Sequence, residues 1–123
     1  MPSERRARSP AQIIAHARRR IALIRSWTAR DSLETYLANE ERQHAVERDF
    51  IGIGEAIKEL SRRVDLPALD PGGPWREPAR FRDFLAHEYE DAVSHPDVWR
   101  TIQEDLPLLD LALERLSKVI RGD

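Results

Sequence analysis

Apolar residues recur along most of the chain at intervals of three and four, the spacing that puts them on one face of a helix. The first such stripe is Ile13, Ala17, Ile21, Ile24 and Trp27. Ser9 stands before it as a cap and Pro10 suits the first helical position. A helix is predicted from Pro10 to about Trp27. Arg20 falls inside this stripe by angle, and a buried arginine needs a partner, so Arg20 is expected to meet a carboxylate or an interface. A short helix is predicted over about residues 32–37. A long helix follows over about residues 40–64, with the stripe Val46, Phe50, Ile53, Ile57, Leu60 and Val64. A second line, His44, Arg48, Ile51, Glu55 and Arg62, lies on its opposite side.

Gly52 and Gly54 sit inside that long helix, where each costs about 1 kcal/mol relative to alanine. Their presence predicts close approach by another helix or a ligand. The surrounding "GIGEA" is not a phosphate loop, having no strand before it and no lysine after it. "DLPALDPGGPW", residues 65–75, breaks the helix with three prolines and a Gly-Gly pair. A third main helix is predicted over about residues 77–91. "SHPD" then makes a turn and a new cap, with Pro96 near the first helical position. The last helix runs to about Arg121 on Val98, Ile102, Leu106, Leu109, Leu113, Leu116 and Ile120, and Pro107 should kink or split it. No strand pattern and no repeat appears. The expected fold is all-α, an antiparallel bundle of four main helices plus a short extra one. Residues 1–9 read as a disordered basic tail and residues 10–121 as one helical domain.

Composition sharpens this picture in three ways. With 41% hydrophobic and 34% charged residues among 123, the chain reads as one globular domain. There is no cysteine, which excludes disulfides and thiolate metal sites and favours a cytoplasmic location. No apolar run is long enough to span a bilayer, so no membrane is expected; Arg18, Arg19 and Arg20 interrupt any signal-peptide core. The net charge of −2 hides an asymmetry: residues 1–30 carry +7 and residues 31–123 carry −9. The basic end suits attraction of RNA or an acidic partner, though a frayed basic tail has the same composition.

The stretch "RFRDFLAHEYEDA", residues 80–92, gathers Arg82, Asp83, His87 and Tyr89. A lone histidine on a helix is commonly structural. Five residues turn an ideal helix by about 500°, so Arg82 and His87 stand roughly 140° apart. They converge only if the arginine reaches round, if the helix widens locally, or if a second subunit supplies the other half. "HEYED", residues 87–91, lacks the His-Glu-x-x-His spacing of zinc helices, and neither a metal nor another cofactor is expected. His16, His44 and His95 show no partner constellation in the sequence. His95 before Pro96 reads as capping or solvent-exposed, and His44 shares a face with Arg48.

Three blocks taken together resemble the HEPN superfamily, in its HepT-like branch. They are "AVERDFIGIGEAIKELS" (45–61), "PWREPARFRDFLAHEY" (74–89), with the Arg-x4-His-x-Tyr pattern, and "VWRTIQEDLPLLDLAL" (98–113). The resemblance implies a helical, homodimeric, metal-independent endoribonuclease, the toxin of a type VII-like toxin–antitoxin pair, with RNA (a tRNA among the candidates) as substrate and a minimal nucleotidyltransferase antitoxin as partner. Arg82 and His87 match the two catalytic positions of the motif. Tyr89 matches the tyrosine that the partner adenylylates to silence the nuclease. Arg48 and Glu55 match the recurrent arginine and the "GEA" glutamate of the first block. They serve either as an ion-pair network with Arg20 or Arg82, or to position Arg82 and add a phosphate contact. The branch usually has asparagine after the motif arginine; here it is Asp83. A carboxylate beside a phosphate repels it unless paired, so Asp83 is expected to orient His87 or Arg82. The alternative is a non-catalytic module that binds a nucleotide or the nucleotidyltransferase.

Overall fold

The computed structural model describes residues 8–78 and 94–122. Its elements are α1 (Pro10–Thr28), α2 (Leu33–Leu37), α3 (Glu40–Ser61), the single turn α4 (Leu66–Leu69), α5 (His95–Arg100), a wide π turn (Thr101–Asp105) and α6 (Leu106–Arg121). No strand occurs among the described residues. Glu77 and Pro78 are helical, where the third main helix was expected to begin; residues 79–93, which include most of that expected helix, lie outside the described residues.

Local chemistry sets each start. The Ser9 hydroxyl accepts from the Gln12 N–H at 3.1 Å and the Gln12 side chain accepts from the Ser9 N–H at 2.8 Å, a reciprocal cap worth about 1 kcal/mol. Ser32 and Thr35 repeat the device for α2. Asn39 Oδ1 accepts from the Arg42 N–H at 2.9 Å, and Glu40 and Glu41 place negative charge on the first turn of α3, where the helix dipole favours it. Asp65 caps α4 and Ser94 caps α5. Gly122, at φ 80°, closes α6 in the left-handed conformation that glycine adopts without strain.

The stripes become the core. Ile13, Ala17, Ile21 and Ile24 of α1 meet Val46, Phe50, Ile53, Ile57 and Leu60 of α3, and α6 closes over them with Leu106, Leu109, Leu113 and Leu116. Trp27 departs from its predicted place: it is 37% exposed, and Thr28 is buried instead. The Thr28 hydroxyl donates to the Ile24 carbonyl at 2.8 Å, so its one polar group is satisfied in the interior. α3 ends at Ser61, three residues short of Val64, which is still partly buried. The break at 65–75 holds the turn α4 and sends the Trp75 indole into the core, with its N–H donating to the Asp70 carbonyl at 2.9 Å.

Three polar ties lock helix to helix. Arg18 of α1 grips Asp110 of α6 through Nε and Nη2 at 2.9 and 3.3 Å. Arg42 of α3 reaches back to Asp31 and to the Trp27 carbonyl. Gln43, buried, donates to the Tyr36 and Leu37 carbonyls and so closes the end of α2. α2 packs on both α3 and α5, with Tyr36 tilted against Trp99 at 5.4 Å between ring centres.

Pro107 splits the last helix as expected. A proline in a helix removes one bond and crowds the carbonyl four residues back; here the chain widens just before it. The Leu106 N–H donates to the Thr101 carbonyl, five residues back instead of four. Leu113, fully buried in the middle of α6, is the most direct probe of this packing. Leu113→Ala should lower unfolding free energy by about 2–5 kcal/mol, read from the urea midpoint at unchanged helical circular dichroism.

Candidate functional site

α3 has two working edges. On one, Arg20 of α1 lies across Gly52. Its Nε donates to His16 Nε2 at 2.9 Å and its Nη1 pairs with Asp49 Oδ1 at 2.6 Å. A Cβ on residue 52 would stand 2.5–2.8 Å from Arg20 Nε, Cζ and Cδ. The glycine is therefore the seat of the guanidinium, which accounts for one of the two mid-helix glycines. Arg20 meets a carboxylate, as its place in the stripe required; that carboxylate is Asp49, whose side chain is only 7% exposed.

Because His16 Nε2 accepts a hydrogen bond, the ring is neutral and carries its proton on Nδ1. Burial and the neighbouring Arg20 charge hold its pKa below 6.5. This corrects the expectation that His16 has no partners. Asp49 and His16 left only a faint signal in the sequence. Asp49 follows Val46 by three residues and precedes Ile53 by four, so it sits at the stripe's edge, where a carboxylate can face an arginine in the opposing stripe.

The outer face of α3 carries the second edge. His44, Arg48 and Glu55 are exposed, as their line predicted, and an open cavity is lined by His44, Glu47, Arg48 and Ile51. At its inner end Glu47 Oε2 stands 3.4 Å from His95 Nδ1, a contact that is an ion pair only when His95 is protonated. His95 is thus neither a cap nor solvent-exposed: Ser94 caps α5, and His95 is half-buried against α3. Tyr36, fully buried nearby, has its phenol pushed far up by burial and by Glu47. Arg82, Asp83, His87 and Tyr89 lie outside the described residues. No group of three or more potential metal ligands occurs among the described residues. No described helix is long and apolar enough to cross a membrane.

A family model described as ribonuclease HepT-like matches residues 17–116. "Probable ribonuclease HepT" of Thermococcus cleftensis is 40% identical over 98 residues, 80% of this chain and 86% of that one. A protein of Methanocaldococcus jannaschii that bears an RNase name is 31% identical over 99 residues, 80% of this chain and 79% of its own. A protein of Caldanaerobacter subterraneus with an RNase name is 31% identical over 85 residues, 69% of this chain and 73% of its own. No solved structure matches the chain. The chain belongs to the HepT-like family, and is an RNase-family HEPN protein with an all-α fold.

Two outcomes follow from the Arg20 seat. Gly52→Ala replaces a poor helix former with the best one, a gain of about 1 kcal/mol in an open helix. Here the new methyl displaces Arg20 and leaves Asp49 buried without its partner, a larger loss. The net change should be a destabilisation of about 1–3 kcal/mol, measured by urea unfolding; a raised midpoint would contradict the packing. The second concerns pH. His16 has its folded pKa below the unfolded value, so the unfolded chain binds the proton first and stability falls as pH drops below about 6.5. His16→Gln can accept from Arg20 at any pH and should flatten that part of the stability–pH curve.

Proposed function

We propose that this chain is a metal-independent endoribonuclease acting as the toxin of a toxin–antitoxin pair, with Arg82 and His87 as its catalytic residues. The observation that carries the reading is positional. The family match, residues 17–116, spans the Arg-x4-His-x-Tyr pattern at residues 82–89, and the relatives matched across most of their length bear ribonuclease names.

The chemistry suits the residue types. RNA supplies its own nucleophile, the 2′-hydroxyl. Its oxygen attacks phosphorus while a base takes its proton; the P–O5′ bond breaks and the departing oxygen receives a proton. The products are a 2′,3′-cyclic phosphate and a 5′-hydroxyl. His87, an imidazole that changes charge near neutrality, performs one of these proton transfers. Arg82 stabilises the extra negative charge of the phosphorane through paired hydrogen bonds. In a homodimer two copies of His87 share one cleft and divide the two transfers. Asp83 orients the pair, Glu55 positions Arg82, and Arg48 adds a phosphate contact from the exposed face of α3.

Tyr89 is the regulatory position. A nucleotidyltransferase partner adenylylates its hydroxyl, and the added phosphate neutralises Arg82 and fills the cleft. The setting is cytoplasmic. The full chain expressed alone should leave cyclic-phosphate ends on cellular RNA, and His87→Ala should lower cleavage by about 10²–10⁴-fold at unchanged circular dichroism. Co-expression with a candidate nucleotidyltransferase should add AMP mass to the wild type and none to Tyr89→Phe. A His87→Ala chain that cleaves at the wild-type rate would sink the reading. AMP transfer to Tyr89 without any cleavage would favour a non-catalytic nucleotide-binding module.

A further inference from the structure

We propose that Arg20 binds a phosphate of the RNA substrate, holding it at the seam of α1 and α3; the inference rests on the ribonuclease reading above. Three features of the sequence serve this one guanidinium. Gly52 gives it room against the α3 backbone, and a side chain of any size there would strike it. Asp49 fixes Nη1 at 2.6 Å and His16 fixes Nε at 2.9 Å.

Stability alone does not explain that arrangement. A buried ion pair is commonly matched or bettered by apolar residues of similar volume, and the two flanking stripes supply such residues throughout. What the arrangement does secure is orientation. Nη2 meets no partner among the described residues, and the side chain is 29% exposed. One nitrogen of a permanently charged fork, in a side chain that is partly exposed, is thus left uncommitted among the described residues. A pre-oriented guanidinium of this kind is suited to an anionic oxygen, since little side-chain freedom is lost on binding.

The neighbours place the anion. Arg48 precedes Gly52 by four residues, one turn or about 6 Å along the axis. Arg48 is exposed, lines the α3 cavity and forms no ion pair among the described residues. Arg48 and the Gly52 seat of Arg20 are therefore one turn apart on α3, Arg48 on the outer face and Arg20 at the edge toward α1. Of the acids on the same side, Asp49 is taken up by Arg20 and Glu59 by Arg8 at 2.7 Å. Glu55 has a contact of its own, and Glu47, which shares the cavity with Arg48, faces His95 at 3.4 Å. A chain of phosphates laid along this side meets Arg20 and Arg48 in turn, which gives a flexible RNA strand a fixed register.

The test uses the full chain carrying His87→Ala, so that RNA is bound without turnover, with and without the paired change Arg20→Gln and Asp49→Asn. The pair removes both charges, leaves net charge unchanged, and keeps hydrogen-bonding side chains at both positions. Affinity for a single-stranded oligoribonucleotide is measured across a range of salt. Loss of one phosphate contact should reduce the slope of log K against log salt by about 0.7. In the cleaving background KM should rise while kcat stays near wild type. Gly52→Ala, which displaces the guanidinium without touching any charge, should give the same loss of slope. An unchanged slope in folded protein that still cleaves RNA overturns this inference alone. A parent chain that neither binds nor cleaves RNA overturns it together with the ribonuclease reading.

Discussion

The pairing of α1 with α3 is the constraint on which the rest of the molecule is built, and its polar centre is a single guanidinium. Arg20 falls on the apolar face of its helix, so it cannot turn to water without turning Ile13, Ala17, Ile21 and Ile24 out of the core. It is accommodated by a neighbouring carboxylate, an imidazole and a missing side chain. Each of the three would be poorly placed without it: a buried Asp49, a half-buried His16, a mid-helix Gly52. The local rules that these residues break are broken together, for one reason.

α3 carries the consequences outward. Its inner face is committed to α1 and the core. Its outer face displays His44, Arg48 and Glu55 and shapes the open cavity. One edge is fixed to α1 by Arg20, and Glu47 meets the first residue of α5 at His95. α5 in turn lies against α2 through Trp99 and Tyr36. Charge on α3 is therefore presented from a helix whose rotation about its own axis is fixed from several directions. That is the condition for placing a polar group to within a fraction of an ångström.

Much of this was legible in the sequence, and what was not has a common cause. The stripes of α3 and α6 could be read because burial on a helix imposes a period of 3.6, and that period is local. The cap at Ser9 and the new helix start at "SHPD" were legible for the same reason. The interruption at Pro107 was legible too, although the wide turn by which the chain resolves it was not. Thr28 took the place of Trp27 because a back-bonded hydroxyl can be buried, which hydropathy does not register. Asp49, His16 and the Glu47–His95 contact depend on which helices become neighbours, and no periodicity encodes that. Arg20 announced that it needed a partner; the sequence did not say that the partner was 29 residues away. The candidate catalytic residues were found by likeness of pattern and not by geometry: Arg82 and His87 subtend an angle that an isolated helix does not reconcile.

The wide turn at Thr101–Asp105 sets the phase of everything after it. A π turn inserts extra residue length without adding a full step of rotation, so α5 and α6 face their neighbours in two independent registers although the chain runs through both without a loop. The first register aims Val98 and Trp99 at α2; the second aims Leu109, Leu113 and Asp110 at α1. Removing one residue within 101–105 would let the chain close as an ordinary helix with the later faces nearly unchanged, because the wide turn holds its extra residue without a full step of rotation, and Asp110 would stay opposite Arg18. The pentapeptide thus absorbs one residue of length ahead of Pro107 while α6 keeps its face toward α1.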